Sequence, residues 1–236
     1  MKKLILFLSL ILSVGFASAQ SEIPSDSIRR APSTNIKEFG GFLLDMGLMN
    51  VATPELPKFN LDNAQNYINE IIRANELVSK KIYMMPIYEN SSIIDLRNRI
   101  DILYSLKDSL FQIEDLVLNI RVGGNDLCHM FGFRRHSNES IHRIKPISNI
   151  FSDIITVYGL DYIVSGPVWE YYSGDNWEKG LIQEIQDDKL CGFTGKTVIH
   201  PNQIPIVNKE YQVTRTDFND AQAILNWNKH SNAFVS

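Results

Sequence analysis

The amino-acid sequence predicts an α/β protein of the (β/α)8 TIM-barrel type, and three observations carry that expectation. Strand-like and helix-like segments alternate from about residue 48 onward. Short connections between them make successive strands parallel. Polar residues follow several different strands, namely Lys58, Glu89, the run from Gly123 to Asp126, the run from Ser165 to Trp169, and His200. A doubly wound sheet also satisfies the alternation, whereas a barrel brings all those strand ends to one mouth.

The elements follow in order. Residues 50–59 (NVATPELPKF) read as a strand with a turn-like end, and residues 61–80 place Ala64, Tyr67, Ile68, Ile71, Ile72, Leu77 and Val78 at helical spacing. Residues 81–88 are strand-like. Residues 91–110 are helical, with Ile93, Ile94, Ile100, Leu103 and Leu110 roughly on one side, and residues 115–122 form the next strand. A helix over 146–158, a strand over 161–168, a helix over 177–189 and a strand over 195–200 continue the pattern. Two helices, 202–211 and 217–229, finish it.

Composition narrows the classes. The chain has 236 residues, 44% hydrophobic and 21% charged, which are ordinary globular values. A net charge of −4 with no basic run argues against a nucleic-acid surface. Met1, Lys2 and Lys3 form a positive start, residues 4–16 an apolar run, and Ala17-Ser18-Ala19 a small-residue cleavage site, so residues 1–19 read as a signal peptide. Residues 20–236 then form a single domain, and no segment is long enough to span a membrane. This leader predicts a periplasmic or secreted protein, or a cytoplasmic one if the start is a gene-model artefact. Cys128 and Cys191 are too few for a disulfide framework; they could pair, but two buried free thiols are favoured. Asn90-Ser91-Ser92 and Asn138-Glu139-Ser140 match the glycosylation pattern and carry no weight here.

Glu89 and Asp126 each follow a strand and lie about one βα unit apart. Two carboxylates on neighbouring barrel strands can share a hard divalent cation, because Mg2+ takes one or two protein carboxylates and completes its shell with water and substrate oxygens. Spacing alone equally allows a solvated loop carboxylate and a helix N-cap. Gly123, Gly124 and Asn125 permit a tight turn whose backbone N–H groups point at an anion, or an ordinary strand-to-helix turn. Residues 192–197 (GFTGKT) resemble a phosphate loop but lack its first glycine, since Leu190 stands there. His200 could offer an imidazole to the mouth or bond the following turn. Arg121, Arg134 and Arg135 could grip an anion, although the last two read better as surface residues. Trp169, Tyr171 and Tyr172 could wall a pocket or pack under a loop.

Residues 121–135 (RVGGNDLCHMFGFRR) and 192–208 (GFTGKTVIHPNQIPIVN) together resemble the citrate lyase β-subunit and HpcH/HpaI aldolase superfamily, within it the citrate-lyase-like C–C bond lyases of the barrel fold. LPKF (56–59), MPIYEN (85–90), VSGPVWEYY (164–172) and WEKGLIQEIQDDKLCG (177–192) occur in the expected order. The resemblance implies a Mg2+-dependent lyase or aldolase, with Mn2+ able to replace Mg2+. Its substrate would be a small keto or hydroxy acid or a coenzyme A thioester, cleaved through a metal-stabilised enolate. It implies Glu89 and Asp126 as metal ligands and Gly123, Gly124 and Asn125 as substrate-binding. Lys58, His200 and Arg29 are catalytic candidates without a fixed role. Residues 27–30 and a helix over 39–48 would be the third unit, with its arginine at Arg29 or Arg30. The first two strands, and the acidic segment on the second, have no counterpart, so the barrel is expected to be incomplete at its N-terminus and the protein to be a homo-oligomer. The competing expectation is a non-catalytic exported binding module that keeps the metal-binding half of the barrel.

Overall fold

The computed structural model describes residues 55–79 and 81–225. The predicted signal peptide, Arg29, Arg30 and the helix over 39–48 lie outside the described residues, as do the strand residues 50–54 and the helix tail 226–229.

Four strands, β1 (Glu55–Leu56), β2 (Met85–Tyr88), β3 (Ile120–Val122) and β4 (Val164–Ser165), form one sheet in sequence order. All three pairings are parallel, with Leu56 beside Pro86, Tyr88 beside Val122, and Arg121 beside Ser165. The predicted strand over 195–200 contracts to a single bridge between Gly166 and Lys196. Backbone bonds still tie it to β4: Thr194 N–H donates to Val164 C=O at 3.0 Å, and Gly166 N–H to Gly195 C=O at 2.8 Å. Five strand segments therefore lie side by side in chain order, as the alternation predicts for a barrel wall. Among the described residues the sheet does not close.

Helices cross over between the strands. They are α1 (Ala64–Leu77), α2 (Arg99–Phe111), α3 (Gly124–Met130), α4 (Lys145–Tyr158), α5 (Trp177–Cys191), α6 (Ile204–Glu210) and α7 (Arg215–Leu225). α1, α4 and α5 match their predicted spans closely. The predicted helix over 91–110 instead breaks into a 3-10 turn (Ser91–Ile93) and α2. Asp95 interrupts it by accepting the Arg97 N–H at 3.0 Å, the local bond that competes with a helix. Buried Arg99 then caps the turn, donating from Nε to Ile93 C=O at 2.6 Å and from Nη2 to Ile94 C=O at 2.8 Å.

The main core lies between the strands and α1, α2 and α4, where Leu56, Ile68, Ile71, Leu103, Ile120, Ile150 and Ile154 are fully buried. Tyr88 and Tyr158 meet inside it with their hydroxyls 2.7 Å apart. Tyr158 donates to Leu103 C=O at 2.6 Å, which leaves Tyr88 to donate to Tyr158 and satisfies both buried groups. A second cluster joins Trp169, Trp177, Leu181, Ile185 and Val207, so Trp169 packs under the loop after β4. Both cysteines are free, Cys128 buried and Cys191 partly so. Among the described residues no helix is long and apolar enough to cross a membrane.

Candidate functional site

The register of β2 against β3 builds the site. Tyr88 pairs with Val122, so the next residues, Glu89 and Gly123, emerge side by side, and Gly123 N–H donates to Tyr88 C=O at 3.1 Å. One helical turn further, within the first turn of α3, stands Asp126. Asp126 is thus inside the helix, and Gly123 occupies the N-cap position.

Glu89 lies flat against Gly123. A Cβ there would fall 2.3 Å from both Cβ and Oε2 of Glu89, so the close approach requires glycine. Gly124 is equally confined, since a Cβ would meet Ile141 at 2.7 Å and Pro167 at 2.8 Å. On its other side Glu89 Oε1 accepts the Lys58 N–H at 3.1 Å. Lys58 has φ of 52°, a left-handed conformation that costs an ordinary side chain about 1–2 kcal/mol. Asn60 and Asn63 hold it there by donating to its carbonyl at 2.8 and 3.0 Å. The strained turn after β1 is thereby fixed over the end of β2.

Burial, then the negative charge of Asp126 and a side-chain hydrogen bond with it, push the Glu89 carboxyl from 4.5 up to about 7 against the opposing pull of Lys58. Glu89 therefore keeps its proton up to about neutral pH. Lys58, Glu89, Asn90, Asp126 and His129 line a cavity of about 380 Å³. Asp126 and His129 also face an adjoining cavity of about 440 Å³ that reaches Arg134, Arg135 and Glu170.

The structure thus brings Lys58, Glu89, Gly123, Gly124, Asn125 and Asp126 to one strand-end region. His200 is not among the side chains lining either cavity. Its Nδ1 accepts the Asn202 N–H at 3.1 Å and its ring stacks on Tyr172 at 4.2 Å, so it serves the turn that follows it. Gly123 N–H is already committed to Tyr88, which leaves the N–H groups of Gly124, Asn125 and Asp126 in the first turn of α3 as the donors without an intrahelical acceptor.

Sequence reasoning missed a buried charge cluster behind the site. Arg135, expected at the surface, is 3% exposed. Its Nη1 pairs with Glu184, and its Nη2 donates to Val168 C=O at 2.6 Å and to Asn125 Oδ1 at 3.2 Å. Lys196 Nζ bonds Glu184 at 2.9 Å and Asp188 at 2.7 Å, and His142 Nε2 meets Asp188 at 2.7 Å. Burial disfavours the charged imidazole, but hydrogen bonds to Asp188 and Cys191 outweigh it and raise His142 from 6.5 to about 9. The available signal was Glu184 and Asp188, four residues apart on the apolar face of α5 beside Leu181 and Ile185.

A model of the C–C bond lyases of the TIM-barrel fold matches residues 24–236. Among curated proteins, the citrate lyase subunit beta of Leuconostoc mesenteroides subsp. cremoris is 42% identical over 50 residues, 21% of this chain and 17% of that protein. The mitochondrial citramalyl-CoA lyase of Rattus norvegicus is 38% identical over 48 residues, 20% of this chain and 14% of that protein. These matches span less than a fifth of either relative. Among solved structures, RipC from Yersinia pestis superimposes with a TM-score of 0.56 at 16% identity, over 78% of this chain and 73% of that one. A citrate lyase from Burkholderia xenovorans LB400 gives 0.55 at 14% identity, over 73% and 52%. CitE from Mycobacterium tuberculosis, in complex with magnesium and pyruvate, gives 0.50 at 19% identity, over 80% and 71%. With its strand order, its strand-end cavity and a family match running almost its whole length, this chain belongs to the C–C bond lyases of the TIM-barrel fold.

Proposed function

We propose that this chain is a divalent-cation-dependent carbon–carbon lyase acting on a small keto or hydroxy acid or its acyl thioester. The facing carboxyls of Glu89 and Asp126 carry this reading. Two carboxylates crowded together, one of them holding a proton up to about pH 7, form a donor set that a doubly charged cation relieves. Among the described residues no third His, Cys, Asp or Glu joins them, which suits Mg2+, or Mn2+ in its place, with water and substrate oxygens completing the shell. When bound, the cation supplies positive charge that polarises the substrate oxygen and stabilises an enolate.

The chain's own residues supply the rest. Lys58 N–H fixes one oxygen of Glu89 and leaves the other for the cation. The N–H groups of Gly124 and Asn125 suit the substrate carboxylate, as donors set in place before charge develops. Gly123 contributes closeness and no hydrogen bond to substrate. Support for the substrate class comes from the relatives' names, one a citrate lyase subunit and one acting on a coenzyme A thioester, and from the pyruvate bound to the structurally similar CitE.

Thermal unfolding of the chain with and without Mg2+ tests the reading, because a ligand that binds only the folded state raises the midpoint by mass action. The midpoint should rise in the parent and in neither Glu89→Ala nor Asp126→Ala. A parent melt indifferent to Mg2+ and Mn2+ would refute the lyase reading.

A further inference from the structure

We propose that His129 is the group that moves a proton to and from the substrate in this site, an assignment that rests on the lyase reading above. His129 stands three residues after Asp126 on α3, so the two side chains share one face of the helix. It lines both cavities, standing where the one bounded by Lys58 and Glu89 meets the one bounded by Arg134 and Glu170.

Its imidazole is also uncommitted. Among the described residues it makes no side-chain hydrogen bond, ion pair or ring contact, whereas His142 is held by Asp188 and His200 by Asn202 and Tyr172. It does not complete a metal-binding trio with Glu89 and Asp126 among those residues. An imidazole beside a carboxylate pair, outside its coordination set and lining two adjoining cavities, is placed to meet a substrate held between them. Imidazole suits the task because one nitrogen accepts a proton while the other keeps its own.

The step balances on this one group. In cleavage, the neutral imidazole accepts the hydroxyl proton of a β-hydroxy acid and the hydroxyl oxygen becomes a carbonyl. The carbon–carbon bond breaks, and its electron pair passes into the enolate of the departing acid. The imidazolium then returns the same proton to the enolate carbon, so one substrate yields a carbonyl product and an acid without oxidant, reductant or co-reactant. In the reverse sense the same nitrogen removes a proton from the methyl group of a keto acid.

The test is exchange of the pyruvate methyl protons for deuterium, followed by proton NMR on the whole chain in D2O with Mg2+, beside the Mg2+-dependent melt. General acid–base groups contribute about 100-fold to 10,000-fold, so His129→Gln should slow exchange at least about 100-fold and keep the parent's Mg2+ shift. Asp126→Ala should lose both. Exchange at the parent rate in His129→Gln overturns the assignment and leaves the lyase reading standing. A parent that responds to Mg2+ yet exchanges no deuterium overturns the proton-transfer role, and a parent without any Mg2+ response removes the lyase reading itself.

Discussion

Replacing Gly123 by alanine tests the packing that brings the two carboxylates together. Gly123 has φ of −90°, which alanine adopts without strain, so the whole cost arises from space. The new methyl would sit 2.3 Å from Cβ and Oε2 of Glu89, whereas carbon contacts settle at about 3.5–4.0 Å. Glu89 must therefore retreat by more than about 1 Å. It is not free to do so, because Oε1 is held by Lys58 N–H at 3.1 Å. Gly123 is pinned as well, donating to Tyr88 C=O and accepting Leu127 N–H, each at 3.1 Å. Overpacking of this kind costs about 1–3 kcal/mol, and alanine recovers about 0.4–1 kcal/mol by stiffening the unfolded chain. The net loss should be about 1–2 kcal/mol, lowering the melting midpoint by roughly 2–8 °C in a domain of this size. Cation affinity should suffer more. Mg2+ accepts little departure from octahedral geometry, and disturbing the groups that orient its ligands weakens binding by about 10–100-fold. The assay is the melting midpoint followed across a Mg2+ titration. A Gly123→Ala chain that keeps both the parent midpoint and the parent Mg2+ dependence would refute the packing argument.

Three further outcomes are expected. Glu184→Ala strands Arg135 and Lys196 without their shared carboxylate, and breaking a buried pair costs about 3–5 kcal/mol; urea unfolding should show a much lower midpoint, and an unchanged one would mean the cluster holds nothing together. His142 has its pKa raised on folding from 6.5 to about 9, so its contribution is full below about pH 6.5 and disappears as pH rises through 9. The free energy of unfolding should fall by at most about 3 kcal/mol across that window; His142→Gln should flatten the profile, and a parent profile already flat there would contradict the ion pair with Asp188. His200→Ala should lose only a cap, about 1 kcal/mol, and keep the Mg2+ response, because the ring serves Asn202 and Tyr172; a lost response would place the imidazole in the site after all.

Much of the wall was legible because its signal is local. Ile147, Ile150, Ile154 and Val157 recur at helical spacing and bury one face of α4, and Trp177 to Cys191 carries its stop in Gly192 at φ of 106°. What escaped notice was either short or nonlocal. α3 has seven residues and begins Gly124-Asn125, so neither periodicity nor propensity could announce a helix there. The alternative reading of Asp126, as an N-cap, accordingly missed its place inside the first turn. The charge cluster escaped because each member looks solvated by itself. Glu184 meets Arg135 across 49 residues and Lys196 across 12, pairings that no window along the chain displays. The carboxylate pair was legible for the opposite reason. Glu89 and Asp126 each follow a strand, and parallel neighbours with matched ends must bring them together.

α3 is the piece on which site and scaffold meet, and each of its first residues faces a different demand. Gly124 is wedged against Ile141, Pro167 and Phe151, so the helix start cannot slide. Asn125 takes a hydrogen bond from Arg135, whose guanidinium also bonds Glu184 and the Val168 carbonyl, and this ties the helix to α5 and to the loop after β4. Asp126 then faces Glu89, and His129 opens onto both cavities. A rigid start is what a carboxylate pair needs, since two negative groups left to themselves would swing apart. Buried ion clusters are poor sources of net stability. This one costs desolvation of five charged side chains, Arg135, Glu184, Lys196, Asp188 and His142, and holds the helix whose first turn carries Asp126. Its retention makes better sense as a device for holding Asp126 against Glu89 than as a source of folding energy, which is why loss of Glu184 should weaken Mg2+ binding even at temperatures where the variant remains folded.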